Sequence, residues 1–226
     1  QVRVSHTLPI AFRDTTYDVP WRDVPYDTLV HNSRKYRTIV VGTARWMAEN
    51  LNYRVDSSFC AAQTVEACAK YGRLYTWTGA ADTTPRYDSL GLPFSGHLQG
   101  VCPVGWHLPS ISEWQTMVDL LGSSRAAALL QSYGTSWTPA TGEDSLGMRI
   151  LPAGHRTITI TTAPYYRFMG LNSEAWFWSS TQGATQSQAS AFRISSSTGL
   201  ASIVPENPKA EALSVRCVSD TAVVAP

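Results

Sequence analysis

Residues 101–114, VCPVGWHLPSISEW, constrain the fold of this chain more than any other stretch. Ser110 precedes Glu113 by three positions, the spacing of a capping box, in which each side chain binds a free backbone amide at the start of a helix. Gly122 stands where such a helix would end. The sequence therefore predicts a helix entered from a turn that carries Cys102. Its buried face is marked by apolar residues at helical spacing, namely Trp114, Met117, Val118 and Leu121.

The composition is typical of a globular protein with a weakly charged surface. The chain has 226 residues, 43% of them hydrophobic and 15% charged, with a formal net charge of +1. This length suffices for one large domain with a substantial core. So small a net charge, without a basic run, argues against nucleic acid as a partner. No stretch approaches the roughly 20 apolar residues of a transmembrane helix, and we expect that a signal or lipid anchor has been removed.

The four cysteines fall by position into two pairs, Cys60 with Cys68 and Cys102 with Cys217. These spacings suit two disulfides, and no CxxC pair indicates a zinc ribbon or a thioredoxin-like site. Four buried free thiols are the alternative. Two disulfides would place the protein in an oxidising compartment, which is extracellular, on the cell surface or in the periplasm.

Residues 1–29 differ from the rest of the chain. They contain the near-repeat DVPW and DVPY, whose prolines exclude a regular helix or a central strand. We predict an extended N-terminal arm in which Trp21 and Tyr26 are anchors. The arm packs either on its own domain or on a partner subunit. Residues 30–220 are then the main domain, and residues 221–226 a C-terminal tail.

The main domain has the pattern of the α+β class. Residues 36–49 predict a hairpin around Gly42-Thr43, and residues 61–71 and 125–132 predict short helices. Residues 78–100 lack periodicity and predict a long surface loop. Short strands after two helices favour an antiparallel sheet over a doubly wound one. The later predicted strands are residues 148–151, 156–162, 166–169, 176–180, 189–194, 200–204 and 213–218.

Several segments resemble the Fibrobacter succinogenes major paralogous domain, in order from about residue 30 to residue 220. They are WMAENLNY (46–53), YGRLYTW (71–77), CPVGWHLPS (102–110), LPAG (151–154), FWSST (177–181) and SVRCV (214–218). That family is similar to the C-type lectin-like and formylglycine-generating-enzyme folds. The resemblance implies a C-type lectin-like fold with a twisted antiparallel sheet and two main helices. It also implies a Cys102–Cys217 bridge and a secreted or lipid-anchored bacterial surface protein.

The sequence offers no catalytic constellation. Formylglycine-generating enzymes need reactive or copper-binding thiols upstream of the terminal Arg-Cys strand, and no cysteine lies between Cys102 and Cys217. The histidines show no paired metal-ligand spacing. We expect His107 to be structural, and His97 and His155 to be exposed. The oxygen-ligand triplets of calcium-dependent lectins have no close match. We therefore predict no enzyme activity, no cofactor and no metal.

The aromatic residues divide into core and candidate contact positions. Trp46, Trp77, Trp106, Trp114 and either Trp176 or Trp178 are expected in the core. Exposed aromatics among small polar residues stack on sugars or form protein hot spots. In C-type lectin-like proteins, the loops above the late strands carry the binding face. By that resemblance and by loop position, the candidate ligand-binding residues are Tyr165, Tyr166, Arg193, Glu206 and Trp137.

These observations predict a non-enzymatic binding module that is secreted or held at the bacterial cell surface. It would present loops on a lectin-like scaffold to a carbohydrate or a protein. The alternative is a structural subunit of a surface appendage or envelope assembly, docked on a partner subunit through residues 1–29. An oxidase related to the formylglycine-generating enzymes is a remote third possibility.

Overall fold

The computed structural model describes residues 26–82, 97–134, 136–159 and 165–223, and within them it has two β-sheets and four short helices. The strands are β1 (Asp27–His31), β2 (Arg34–Val41), β3 (Ala44–Met47), β4 (Ser58–Cys60), β5 (Arg73–Thr76), β6 (Trp106–His107), β7 (Ala153–Thr159), β8 (Tyr165–Leu171), β9 (Glu174–Gln182), β10 (Gln188–Ser195), β11 (Leu200–Pro208), β12 (Ala212–Ser214) and β13 (Val218–Ser219). The helices are α1 (Val65–Tyr71), α2 (Trp77–Ala81), α3 (Ile111–Leu121) and α4 (Ala126–Leu130).

The first sheet has the strand order β1-β2-β3-β13-β6. The second has the order β11-β10-β9-β7-β12-β5-β4, with β8 paired to β7. Most pairs are antiparallel, but β7 and β12 each pair parallel with β9. The expectation of an antiparallel sheet therefore holds for most strand pairs, but the described strands form two sheets and two of their pairs are parallel. Strand β13, near the end of the chain, pairs with β3 and β6 and completes the first sheet. A local sequence pattern cannot predict a pairing between segments so far apart in the chain.

Helix α3 begins and ends as its sequence predicts. The Ser110 hydroxyl accepts a hydrogen bond from the Glu113 amide at 3.3 Å, and the Glu113 carboxylate accepts one from the Ser110 amide at 2.7 Å. Both halves of the capping box are present. Gly122 follows the helix with φ of 78°, a backbone angle that favours glycine. The helix also presents its predicted apolar face to the core.

One side chain of α3 links the two sheets. The Trp114 ring centroid lies 4.6 Å from that of Trp46 on β3, in the first sheet, and 4.4 Å from that of Phe192 on β10, in the second. The core tryptophans predicted from the sequence are buried. Of the two left undecided, Trp178 is fully buried, whereas Trp176 keeps part of its surface in solvent.

Both predicted disulfides are present. Cys60 is bonded to Cys68, which ties β4 to α1, and Cys102 is bonded to Cys217, which ties the entrance of α3 to the segment before β13. The prediction from spacing is confirmed, and the alternative of four free thiols is wrong. No free cysteine remains in the chain.

Next to Cys217, the Arg216 side chain is buried in the core. Its guanidinium donates to Asn50 Oδ1 at 2.8 Å and to the backbone carbonyls of Met47, Met148 and Arg149. Burial lowers the pKa of Arg216 to about 9, and the charge of Asp144 opposes that shift. These hydrogen bonds satisfy a cation that burial alone would destabilise. They join the last part of the chain to two distant segments, residues 47–50 and residues 148–149.

Some predicted elements are altered in the structure. The helix expected over residues 61–71 is split into a 3-10 turn (Ala61–Gln63) and α1, because Ala62 and Gln63 have positive φ and the Thr64 hydroxyl caps a new helix start. Residues 148–151 are not a strand: Ile150 forms only an isolated bridge with Gln131.

The ends of the main domain reach beyond the predicted boundaries. Strand β1 begins at Asp27, so the first sheet includes residues assigned to the arm. The Tyr26 ring lies 4.4 Å from the Arg37 guanidinium of its own domain. Residues 1–25 of the predicted arm, most of the predicted long loop and the last three residues of the predicted tail lie outside the described residues. Val223 of the tail donates to the Thr43 carbonyl at 2.8 Å.

The longest helix in the described part of the chain, α3, has 11 residues, and none there has the length and apolarity to cross a bilayer.

Candidate functional site

The outer face of the second sheet carries a group of exposed and half-buried side chains. Along β9 and β10 the inner residues, such as Phe177 and Phe192, are fully buried in the core that α3 covers. Because successive strand residues point to opposite faces, Trp176 and Arg193 are register partners on the face turned away from α3, where Trp176 packs against a second core cluster that contains Trp178. We call this surface the strand-face patch; its members are His155, Glu174, Trp176, Arg193, Tyr165, Met169 and Leu200.

The centre of the strand-face patch is polar and its side chains hold one another in place. The Trp176 indole donates to Glu174 Oε2 at 2.8 Å, and the Arg193 guanidinium donates to the other oxygen of Glu174. The guanidinium carbon of Arg193 lies 5.0 Å from the centre of the Trp176 ring. The His155 ring centroid lies 4.8 Å from that of Trp176. One carboxylate therefore fixes both an aromatic ring and a cation.

The charges of this centre follow from its partners. Burial raises the pKa of Glu174, but hydrogen bonds from Trp176 and Arg193 and the positive charge of Arg193 outweigh it and lower the pKa below its ordinary value. Burial lowers the pKa of His155, against the opposing charges of Glu211 and Glu174. At neutral pH the patch thus holds an ionised Glu174–Arg193 pair next to a neutral imidazole.

Two nitrogen atoms of the centre have unused hydrogen-bonding capacity. His155 Nδ1 lies 3.9 Å from Glu174 Oε2, too far for a hydrogen bond. Neither this nitrogen nor Arg193 Nε has a hydrogen-bond partner within the described ranges of the chain.

Large apolar side chains surround the polar centre. Met169 on β8 is the register partner of His155, and Leu200 on β11 is the register partner of Ser195. Met169 is 47% exposed and Leu200 is 51% exposed. Tyr165, four residues before Met169 on β8 and so on the same face, is 49% exposed. Several exposed apolar side chains on one sheet face are typical of an interaction surface.

The sequence-predicted contact residues do not all lie together. Tyr165 and Arg193 belong to the strand-face patch. Tyr166 is exposed but on the opposite face of β8, where its ring lies 3.9 Å from the Arg156 guanidinium. Glu206 is exposed near the end of β11 and is not among the partners of the polar centre. Of these four candidate residues, the structure therefore brings only Tyr165 and Arg193 onto the same face of the sheet.

Two predictions of exposure are wrong. Trp137 is only 1% exposed, and its indole donates to the Ile150 carbonyl at 2.9 Å, so it cannot contact a ligand in this conformation. The polar residues around it form a loop that folds back over the core, which composition alone does not reveal. His155 has only 13% of its side chain exposed, because Trp176 packs beside it.

Sequence reasoning missed Glu174, Trp176, Met169 and Leu200 as patch members. The alternation of β9, EAWFW, carries a usable signal: if Ala175 and Phe177 face the core, Glu174 and Trp176 face outward together. Met169 and Leu200 give no such signal, since their exposure depends on which strands become neighbours.

A second polar cluster lies at the entrance of α3. The buried His107 ring has Nδ1 2.7 Å from Asp220 Oδ1 and Nε2 2.9 Å from Glu113 Oε1. The exposed His97 ring stacks on it, with centroids 3.9 Å apart. Burial lowers the pKa of His107, but hydrogen bonds and charges from the two carboxylates raise it overall, while the pKa of Glu113 falls to about 2.

Comparison with known proteins identifies the family. The chain matches no curated protein and no solved structure. The sequence model of the Fibrobacter succinogenes major domain matches residues 39–219, which include all four cysteines and the whole strand-face patch. The resemblance seen in the sequence motifs is thereby confirmed over most of the chain. This protein belongs to the Fibrobacter succinogenes major domain family.

Proposed function

We propose that this protein is a non-enzymatic adhesion module that binds another protein at the bacterial surface or outside the cell. The observation that carries the proposal is the strand-face patch, in which exposed apolar side chains surround an oriented Trp176–Arg193–Glu174 centre. Tryptophan and arginine are the residues most enriched at the energetic centres of protein interfaces.

A carbohydrate is the second candidate ligand. Its support is the half-buried Trp176 ring beside the Glu174 carboxylate and the Arg193 guanidinium. An aromatic ring offers stacking, and fixed charged groups offer hydrogen bonds to hydroxyls. The exposed apolar residues Met169 and Leu200 would add little to sugar binding, and for this reason we favour a protein ligand.

Compartment, absence of catalysis and fold type are part of the same proposal. Two disulfides favour an extracellular, cell-surface or periplasmic location. All four cysteines are engaged in them, so the thiol chemistry of the formylglycine-generating enzymes has no thiol to use. We assign the two-sheet scaffold to the C-type lectin-like type, and the bridge from the α3 entrance to the end of the chain supports this assignment.

Binding of the labelled protein to intact bacterial and host cells tests the function. Replacing Met169 and Leu200 by glutamate is expected to abolish binding, because charge is placed in the apolar surround. The matched control replaces Val65 and Val104, which are 77% and 89% exposed elsewhere, by glutamate, and binding should persist. Loss of binding after protease treatment of the cells indicates a protein ligand, and loss after glycosidase treatment indicates a carbohydrate. Equal binding by both glutamate variants contradicts the proposal.

The structural-subunit alternative depends on residues 1–25, which lie outside the described residues. It predicts that a chain starting at residue 26 fails to enter a native assembly while its cell binding is unchanged. Size-exclusion chromatography of assemblies formed by the full and shortened chains distinguishes the two functions.

A further inference from the structure

We propose that His97, His107 and Asp220 form a binding site for a divalent transition-metal ion, of which Zn²⁺ is the best probe. One nitrogen from each histidine and one carboxylate oxygen of Asp220 lie within 4.8 Å of one another. The site is separate from the strand-face patch and does not depend on the function proposed above. It also differs from the sequence expectation of no metal, which rested on the wide spacing of the histidines.

Two of the donor–donor distances are close to those around a bound ion. His107 Nδ1 and Asp220 Oδ1 are 2.7 Å apart, and His97 Nδ1 is 3.7 Å from the same oxygen. Donor atoms bound tetrahedrally to Zn²⁺ at about 2.0–2.1 Å lie roughly 3.3 Å from one another. An ion between these three side chains therefore requires shifts of about an ångström or less for these two pairs of atoms.

Two of the three ligands are held by paired backbone. His107 lies on β6 opposite Val218 of β13, and Ser219 pairs with Trp106. The Asp220 amide then donates to the Gly105 carbonyl at 2.9 Å, which continues the pairing. The Cys102–Cys217 bridge fastens the same two segments a few residues away. This rigid support keeps His107 and Asp220 together whether or not an ion is bound.

Glu113 orients the His107 ring for coordination through Nδ1. Its Oε1 lies 2.9 Å from His107 Nε2, and its Oε2 accepts hydrogen bonds from the Ser110 amide and hydroxyl. A histidine that binds a metal commonly donates its other ring N–H to a carboxylate, which fixes the tautomer and the ring plane. With Nε2 bonded to Glu113, Nδ1 is the nitrogen directed at Asp220.

The third ligand, His97, must reorient to complete the site. Its ring stacks on His107 at an interplanar angle of 18°, so it must turn out of this stack to direct a nitrogen at the ion. Its side chain is 59% exposed and that of Asp220 is 44% exposed, which leaves room for the turn. The same exposure leaves the remaining coordination positions open to water or to a group from a bound partner.

The donor set determines the class of ion. Two imidazoles and one carboxylate favour Zn²⁺, Cu²⁺ or Ni²⁺, whereas Ca²⁺ and Mg²⁺ prefer all-oxygen sites.

Calorimetric titration of the chelator-treated protein with Zn²⁺, in excess Mg²⁺, tests the site, and Co²⁺ absorption reports coordination. Wild type is expected to bind one equivalent at micromolar concentrations. His97→Ala and Asp220→Asn should each weaken binding at least tenfold, a loss in the range seen when metal-site residues are changed. His155→Gln, a histidine variant in the strand-face patch, should bind as wild type. Circular dichroism confirms that each variant is folded.

Absence of binding to wild type overturns the proposal, as does equal binding by His97→Ala or by Asp220→Asn. Binding lost equally in His155→Gln would also overturn it, since it would locate the ion elsewhere.

Discussion

The two disulfides form a natural matched pair for measuring how a crosslink stabilises this fold. Cys102–Cys217 joins residues 115 positions apart, whereas Cys60–Cys68 joins residues eight positions apart. If a bridge acts mainly by restricting the unfolded chain, its contribution grows with the logarithm of the closed loop. The relation gives about 5 kcal/mol for the long bridge and about 2.5 kcal/mol for the short one at 25 °C.

Replacing both cysteines of one bridge by alanine tests this relation. The free energy of unfolding is expected to fall by about 5 kcal/mol without the long bridge and by about half as much without the short one. Urea titration followed by tryptophan fluorescence measures both, because several tryptophans are buried. Domains of this size are stable by only about 5–15 kcal/mol, so all three proteins are best compared in the same stabilising osmolyte.

A result in which both variants lose the same free energy, or in which the short bridge matters more, refutes the unfolded-chain argument. Such a result would show that contacts of the bridges in the folded protein determine most of their contribution to the free energy of unfolding. A matched variant with serine in place of each cysteine pair controls for burial, since Cys68, Cys102 and Cys217 are buried and Cys60 is half-buried.

The remaining predictions concern the core and the ionised pair of the patch. Trp114→Ala is expected to lower the free energy of unfolding by about 3–5 kcal/mol, because the Trp114 ring is buried between the two sheets. Trp176→Ala should lower it by clearly less, because the Trp176 ring is partly exposed. Urea titration of both variants measures the two changes. The pKa of Glu174 is lower in the folded protein than in the unfolded chain, so ionised Glu174 stabilises the fold. This contribution is complete at pH values above the ordinary carboxyl pKa. It is lost as the pH falls through the pKa of the folded protein. Glu174→Gln should therefore be less stable than wild type at neutral pH and equally stable in strong acid. A difference that is independent of pH would contradict the assignment.

The elements that could be predicted depend on neighbours in sequence. The capping box of Ser110 and Glu113 and the hairpin around Gly42 are local signals, and both appear in the structure. The disulfide pairing was also accessible, because four cysteines fell into two positional pairs. Local geometry and crosslink spacing are encoded directly in the chain.

The features that were missed depend on contacts between distant segments. Burial of Trp137 requires the Ile150 carbonyl, and burial of His155 requires Trp176 of a different strand. The His107–Asp220 pair brings together residues 113 positions apart. The periodicity of the sequence does not identify partners that are far apart in the chain. The candidate sites could therefore be located only from the strand order of the structure.

The interactions of Arg216 have a consequence for when the chain can fold. This guanidinium binds carbonyls of Met47, Met148 and Arg149, and the adjoining Cys217 closes the long bridge. A nascent chain lacks both until residues 216 and 217 have been synthesised, so we expect the segments around Met47 and Met148 to reach their final packing only after that point.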